Sequence, residues 1–307
     1  MVSSCLLFKV WFMKKLNVIC FGEVLFDNFP THSKIGGAPL NVSLRLRSFD
    51  VDVSMISSVG DGKYGNRILD FLNNRGVNTD GIQINPLYRT GQVKVNLNSS
   101  GVATYDISYP VAWDKITSRS SYEKQLKESD VFIYGSLACR DSTSRATLIG
   151  LLPIAPYRVF DVNLRAPYYS KELLLELIQQ ADFVKFNDDE LYEVAEYLGS
   201  KYNSMEQTIV FLAEQIQIET ICVTKGAYGA VLYHQNVFYY NSGYRIKVLD
   251  TVGSGDSFLA SVIYKLLNGE GPQEAIDFGC AVGALVAKSN GANPKLSMQE
   301  IAKFMNP

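Results

Sequence analysis

The sequence predicts an α/β fold in which a mostly parallel sheet is covered by helices. Short apolar segments suited to strands alternate with amphipathic segments along most of the 307 residues. One stretch breaks this alternation, because two segments of period-two hydrophobicity flank a polar turn, as in an antiparallel hairpin. The chain contains no internal repeat, low-complexity tract or linker, so we expect one domain with a small β insertion.

Each predicted element follows from its local pattern. Buried strands are predicted at 16–22, 24–29, 51–59, 131–134, 159–162, 183–186 and 221–224. Helices are predicted at 39–47, 65–75, 173–180, 191–198, 253–267 and 272–288. The hairpin covers 91–108, with its turn at 98–101. This alternation favours parallel strands joined by helical crossovers.

Composition excludes several classes of protein. The 29 basic and 31 acidic residues nearly balance, so a nucleic-acid partner is not expected. The five cysteines form no C-x-x-C pair, which indicates reduced thiols in a cytoplasmic protein rather than disulfides or a zinc site. No apolar run reaches the roughly 18 residues that span a bilayer, so no membrane partner is expected either.

The first residues differ from the rest of the chain. An apolar stretch at 6–12 is followed by Lys14 and Lys15 rather than by the small residues of a signal-peptide cleavage site. We expect residues 1–13 to be a disordered or artefactual extension and residues 14–307 to form the domain.

The segment at 250–258 is a loop of small residues that leads directly into an apolar helix. Gly253 and Gly255 allow a tight turn, and the free N–H groups of a helix start can hold phosphoryl oxygens. Asp256 is unusual there, because a carboxylate beside bound phosphate is unfavourable unless it accepts a proton or meets a metal. An ordinary helix cap is the alternative interpretation.

Three further segments carry polar or glycine residues at element ends. Gly36 and Gly37 precede a helix that carries Asn41, which suits binding of a polyol but also an ordinary strand-to-helix turn. The acid-rich segment 185–190 follows a strand and suits hydrated Mg²⁺ or plain capping. Segment 224–229 is predicted to form a tight turn at the end of a strand. Such a turn could lie beside a nucleotide or belong to a simple hairpin.

Other enzyme classes lack their usual residues. His32 and His234 are the only histidines, and no G-x-S-x-G segment occurs, so a Ser-His-Asp hydrolase is poorly supported. No G-x-x-x-x-G-K-[ST] or complete G-x-G-x-x-G segment occurs, which disfavours Walker-type NTPases and dinucleotide dehydrogenases.

Taken in order, these motifs resemble the PfkB-type, ribokinase-like carbohydrate kinase family over about residues 14–294. Segment 36–41 resembles the family's N-terminal signature, Asn187-x-x-Glu190 its magnesium and phosphate motif, and segment 250–256 its C-terminal signature. Ser254 stands where the family usually has alanine. The resemblance implies a three-layer α/β/α domain with a small β-sheet lid, formed by about 24–32 and 91–110.

The resemblance also implies the role of each candidate residue. Asp256 would be the base, and the amides of Gly253, Ser254 and Gly255 would form an anion hole. Arg165 would lie near the transferred phosphate or the sugar, with a surface ion pair as the alternative. Sugar-binding residues would be Asp27, Gly36, Gly37 and Asn41. Nucleotide-binding residues would be Lys185, Asn187, Thr224, Lys225, Gly226 and Gly229, and Asn187 with Glu190 would hold Mg²⁺ through water.

The implied reaction is transfer of the γ-phosphoryl group of ATP to a sugar hydroxyl. Segments 22–27, 110–114 and 161–165 resemble the fructokinase branch, so fructose is the expected acceptor, with ribose, 2-keto-3-deoxygluconate and nucleosides left open. A monovalent cation such as K⁺ is a further candidate cofactor. A noncatalytic sugar or nucleotide sensor and a loop that binds phosphate only structurally are the alternatives.

The resemblance further implies a homodimer that forms through the β lid. Apolar side chains of Val93, Val95 and Leu97, exposed on the lid, would fit such an interface.

Overall fold

The computed structural model describes residues 15–97 and 103–306, without the side chains of 95–97 and 103–105. The extension expected at 1–13 and the whole hairpin turn at 98–101 lie outside the described residues. The strands are β1 Asn17–Phe21, β2 Leu25–Asn28, β3 Ser33–Gly36, β4 Asp52–Gly60, β5 Ile82–Asn85, β6 Gly91–Leu97, β7 Ala103–Ile107, β8 Val131–Gly135, β9 Arg158–Asp161, β10 Phe183–Asn187, β11 Thr220–Thr224, β12 Ala230–His234 and β13 Val237–Asn241. The helices are α1 Ala38–Ser48, α2 Lys63–Asn73, α3 Ser120–Glu128, α4 Ser142–Leu151, α5 Lys171–Ile178, α6 Asp188–Tyr197, α7 Met205–Ile216, α8 Ser254–Leu267, α9 Pro272–Ala287 and α10 Met298–Met305.

A nine-stranded sheet forms the centre of the molecule, in the order β13-β12-β11-β10-β9-β8-β1-β4-β5. The strands from β5 to β11 in this order pair in parallel, as the sequence predicts. The antiparallel strand β12 and the antiparallel edge strand β13 were not predicted. Their turn is Gln235-Asn236, with φ of 49° and 66°, and it lacks the glycine that usually marks a two-residue hairpin turn.

Helices cover both faces of this sheet. Val18 and Cys20 of β1 belong to one buried cluster, which contains residues of α1, α2, α8 and α9. Ile19 and Phe21 alternate with them and belong to a second cluster, which contains residues of α3 to α7. Because successive strand residues point to opposite faces, the two clusters lie on either side of the sheet. The predicted three-layer α/β/α architecture is confirmed.

A separate four-stranded sheet, in the order β3-β2-β6-β7, forms the lid. The predicted hairpin is confirmed as the antiparallel pair β6 and β7, and β2 joins β6 in parallel. The expected exposure of Val93 is wrong. Its side chain is 4% exposed, because the apolar face of the lid packs on the fully buried Trp113. The side chains of Val95 and Leu97 lie outside the described residues.

Two sequence-based exclusions can be compared with the structure. The four cysteines in the described part of the chain are free and buried, in agreement with the expected reduced thiols. No helix within residues 15–97 and 103–306 has the length and apolarity that a bilayer crossing requires.

Candidate active site

The candidate residues gather at the carboxyl edge of the parallel strands. Asp161 ends β9, Asn187 ends β10 and Thr224 ends β11, while Glu23 lies just beyond β1. Lys185 pairs with Asp161 in register across β9 and β10. Since parallel strands end at the same edge of a sheet, residues far apart in sequence share one site there.

The phosphate-loop candidate is the turn that starts α8. Gly253 is the N-cap residue, and its φ of 76° is a conformation that favours glycine. A Cβ on Gly253 would lie 2.5 Å from Cβ of Ala292, so a side chain is excluded there. Ser254 N–H donates to Thr251 O at 3.2 Å, which makes it the least available of the three amides expected to form the anion hole.

Asp256 does not cap α8, because Gly253 occupies the N-cap position. Its Oδ2 instead accepts a hydrogen bond of 2.8 Å from Nδ2 of Asn41. Asn41 is 4% exposed, and its Oδ1 accepts a bond of 2.7 Å from Asn293. The capping alternative is therefore wrong, and the N-terminal and C-terminal motifs meet at one carboxylate.

Burial, together with the nearby charge of Asp161, raises the pKa of Asp256 to about 6. The hydrogen bond from Asn41 and the charges of Lys185 and Arg165 oppose this shift. Since proton acceptance is most effective when the pKa lies near the working pH, this environment suits a general base.

A buried ion pair lies beneath the loop. Nζ of Lys185 donates to Oδ1 of Asp161 at 2.9 Å, and a Cβ on Gly255 would lie 3.7 Å from the same Nζ. Burial lowers the pKa of Lys185, but Asp161, Glu190 and Asp256 together outweigh it and leave the pKa raised. Lys185 therefore remains a cation next to the helix start, where it complements an anion.

Asn187 and Glu190 form the capping box of α6. Asn187 Oδ1 accepts from Glu190 N–H, and Glu190 Oε2 accepts from Asn187 N–H, both at 2.8 Å. Glu190 Oε1 accepts from Leu164 N–H at 2.9 Å. The described residues contain no group of three or more His, Cys, Asp or Glu side chains arranged for a metal ion. These oxygens fit Mg²⁺ only through its waters, which that ion commonly retains.

Arg165 lies on the loop that Glu190 holds through Leu164. Its side chain is exposed, and its guanidinium donates to Leu164 O at 2.8 Å. The surface ion pair considered as an alternative is not found among the ion pairs of the described residues. Its positive charge opposes the rise in the pKa of Glu23, Asp27 and Asp256, so Arg165 lies near these carboxylates.

The sugar-binding candidates lie along a cavity of about 400 Å³, which Asp27, Gly36 and Asn41 line. Burial raises the pKa of Asp27 to about 6. A Cβ on Gly36 would lie 2.6 Å from Oδ2 of Asp27, so a side chain at this position would displace the carboxylate. Gly37 has a structural constraint instead, because a Cβ there would lie 2.4 Å from Glu23 O.

The nucleotide candidates continue along the same edge of the sheet. Thr224 Oγ1 donates to Phe186 O at 3.3 Å, and Lys225 begins a short 3₁₀ turn that contains the exposed Gly226. Gly229 is buried, and a Cβ there would lie 2.0 Å from Asn241 O. Close packing of two backbone segments therefore explains why position 229 is a glycine.

Glu23 is a buried residue of the site that was not predicted from the sequence. Glu23 is 3% exposed, and its Oε1 accepts a hydrogen bond of 3.2 Å from Ala38 N–H at the start of α1. Within the described part of the chain, Oε2 has no hydrogen-bond partner. Burial raises the pKa of Glu23 to about 7. The feature of the sequence that could have indicated Glu23 is its position as the one carboxylate inside the apolar stretch 16–26.

Comparison with known proteins agrees with this geometry. The chain matches the pfkB family of carbohydrate kinases over residues 10–298. It therefore belongs to that family and is an ATP-dependent phosphotransferase by class. Probable fructokinase-6, chloroplastic, of Arabidopsis thaliana is 27% identical over 312 residues, which are 92% of this chain and 80% of the relative.

Two solved structures share the fold. The 2-dehydro-3-deoxygluconokinase of Thermotoga maritima superposes with a TM-score of 0.85 at 20% identity, over 95% of this chain and 99% of that chain. A fructokinase double mutant of Vibrio cholerae O395, with fructose, ADP and potassium ion bound, gives a TM-score of 0.82 at 23% identity, over 95% and 98%. These similarities confirm the ribokinase-like fold.

Proposed function

We propose that this kinase transfers the γ-phosphoryl group of ATP to a hydroxyl of a small carbohydrate, with Asp256 as the general base. The hydrogen bond between Asn41 and Asp256 carries the proposal. It joins the cavity lined by Asp27 and Gly36 to the glycine turn that starts α8. An acceptor hydroxyl and a phosphoryl group would thus meet beside one carboxylate.

The mechanism uses positioning and charge more than strong basicity, because phosphoryl transfer has a loose transition state. Asp256, with a pKa of about 6, is ionised at neutral pH and accepts the proton of the attacking hydroxyl at Oδ1 or Oδ2. The N–H groups at the start of α8, chiefly those of Gly253 and Gly255, bind the phosphoryl oxygens. Lys185 and Arg165 add positive charge at the same place.

The remaining residues hold the nucleotide. Thr224, Lys225 and Gly226 would lie along the ATP phosphates and ribose, at the end of β11. Mg²⁺ supplies charge neutralisation on the phosphates when bound, and Asn187 and Glu190 would contact its waters. Potassium ion in the Vibrio cholerae structure motivates a test of K⁺ as an activator.

We also propose a single kinase domain over 14–307, in which the β3-β2-β6-β7 sheet closes over the acceptor and excludes water. The salt bridge of 3.2 Å between Lys34 of β3 and Asp250 links this lid to the phosphate loop. Dimerisation through the lid would use its edges rather than Val93, which is buried. Light scattering of the purified protein measures its molar mass and so shows whether it is a dimer.

Fructose, with fructose 6-phosphate as the product, is the acceptor that the curated relative and segments 22–27, 110–114 and 161–165 favour. Ribose, 2-keto-3-deoxygluconate and nucleosides are the alternatives. Specificity among them depends on a few hydroxyl contacts in the pocket.

The test is ADP release from Mg²⁺-ATP with fructose, ribose, 2-keto-3-deoxygluconate, glucose and adenosine, with and without K⁺. Phosphorus NMR of the product then identifies the phosphorylated hydroxyl. Fructose-dependent ADP release with phosphate on the 6-hydroxyl supports the full proposal. Turnover of another acceptor keeps the mechanism and changes the substrate. Stabilisation by Mg²⁺-ATP without turnover of any acceptor would favour a binding protein.

A further inference from the structure

Cationic side chains line one side of the cavity that contains Asp27 and Asn41. Lys34 comes from β3, Arg67 comes from α2, and Arg75 lies in the turn that follows α2. Among the described residues that form the same lining, Asp27 is the only carboxylate. Because Lys34 forms an ion pair with Asp250, the two arginines are the cations of this lining that can serve a ligand.

Aromatic contacts support both arginines. The guanidinium of Arg67 lies 4.9 Å from the centre of the Phe26 ring, and that of Arg75 lies 3.7 Å from the Phe71 ring. Arg75 also donates to Phe71 O at 3.4 Å. Stacking of this kind restrains a guanidinium while its edge remains free to donate hydrogen bonds.

The charges of the two arginines are not neutralised by neighbours. Across residues 15–97 and 103–306, the ion pairs that arginines form involve neither Arg67 nor Arg75. Lys34 differs, because it is paired with Asp250 at 3.2 Å. Two oriented donors with fixed positive charge therefore face the cavity without an acidic partner.

We propose that Arg67 and Arg75 form a subsite for an anionic group, a carboxylate or a phosphate, on the acceptor sugar. The proposal rests on the proposed kinase function, since it concerns the substrate of that same site. Arginine binds carboxylates and phosphates through paired N–H donors. A neutral hexose would use Asp27, Asn41 and Asp256 and would leave this subsite empty. A sugar acid or sugar phosphate would fill both parts, so a working subsite makes 2-keto-3-deoxygluconate or a sugar phosphate, rather than fructose, the preferred acceptor of this site.

The test compares three acceptors: fructose, which is neutral, 2-keto-3-deoxygluconate, which carries a carboxylate, and fructose 1-phosphate. The variants are Arg67→Met and Arg75→Met, which keep an apolar stem, and Lys63→Met as the control. Lys63 begins α2 but does not line the cavity. For each variant, the measured quantity is the KM of the anionic acceptor divided by the KM of fructose.

Each arginine variant should raise this ratio roughly tenfold, the effect of losing one charge-assisted contact. Lys63→Met should leave it unchanged. If the KM ratio rises for 2-keto-3-deoxygluconate, the subsite binds a carboxylate; if it rises for fructose 1-phosphate, the subsite binds a phosphate. An unchanged ratio in both arginine variants contradicts the proposal, as does turnover of fructose with no turnover of either anion.

The kinase proposal and the subsite proposal fail in different ways. Absence of turnover with every acceptor contradicts the proposed function. In that case calorimetric binding of 2-keto-3-deoxygluconate and of inorganic phosphate decides the subsite: binding that weakens in Arg67→Met but not in Lys63→Met supports it, and absence of binding overturns it.

Discussion

Replacing Glu23 with glutamine removes a buried charge while keeping the oxygen that accepts from Ala38 N–H. Burial raises the pKa of Glu23 from 4.5 to about 7. The folded state therefore binds this proton more tightly than the unfolded state does, so the group destabilises the fold as the pH rises from 4.5 through 7. A shift of this size corresponds to about 3 kcal/mol.

The assay is urea unfolding of both proteins, followed by circular dichroism, at pH 5, 6, 7 and 8. Relative to Glu23→Gln, the wild type should lose about 3 kcal/mol of unfolding free energy across this range, most of it below pH 7. Glu300→Gln is the control, because Glu300 is an exposed carboxylate whose pKa is lowered by hydrogen bonds from Ser297. Parallel pH curves for wild type and Glu23→Gln would refute the assignment of a buried, strained carboxylate.

Two further substitutions test the packing around the site. Lys185→Met leaves Asp161 buried without its 2.9 Å partner, so the unfolding free energy should fall by about 3–5 kcal/mol. The acid limb of the pH–rate profile should also move to higher pH, because Lys185 lowers the pKa of Asp256. An acid limb that does not move would contradict the electrostatic coupling of Lys185 and Asp256. Gly91→Ala places a Cβ 2.3 Å from Trp113 Nε1 and should destabilise the protein by about 1–3 kcal/mol in urea unfolding. Gly150→Ala, in open space on α4, is its matched control and should stabilise by up to about 1 kcal/mol; equal effects at the two positions would contradict the packing described.

The parallel core of the fold was predictable because its strands are continuous apolar segments between helical ones. Strands such as 131–134 and 183–186 needed no tertiary information. The lid strand β3 was missed because its own segment has little apolar character. Strands β12 and β13 were missed although their residues favour strands, because the turn between them lacks the glycine that marks most two-residue hairpins. The β3 segment Ser33–Gly36 has one strongly apolar residue, Ile35.

The site was predictable where glycines and acids mark a turn, as at 250–256. The parts of the site that were not predicted depend on contacts between residues far apart in the sequence. The bond from Asn41 to Asp256 spans 215 positions of the sequence, so no local pattern reports it. Glu23 was overlooked because a lone acid after a strand has no motif of its own. The expected exposure of Val93 failed because alternation along a strand does not say which face another element covers.

Asp256→Asn removes the carboxylate that we propose as the acceptor of the hydroxyl proton, so the turnover number of this variant tests that role. The Glu172→Gln variant serves as control, since Glu172 is a carboxylate in the first turn of α5, outside the site. Mg²⁺-ATP affinity, measured by calorimetry, shows whether the nucleotide site remains intact. We expect Asp256→Asn to bind Mg²⁺-ATP normally and to lose at least about 100-fold in kcat, the lower range for loss of a general base. Normal nucleotide binding together with a kcat within about tenfold of wild type would contradict the claim.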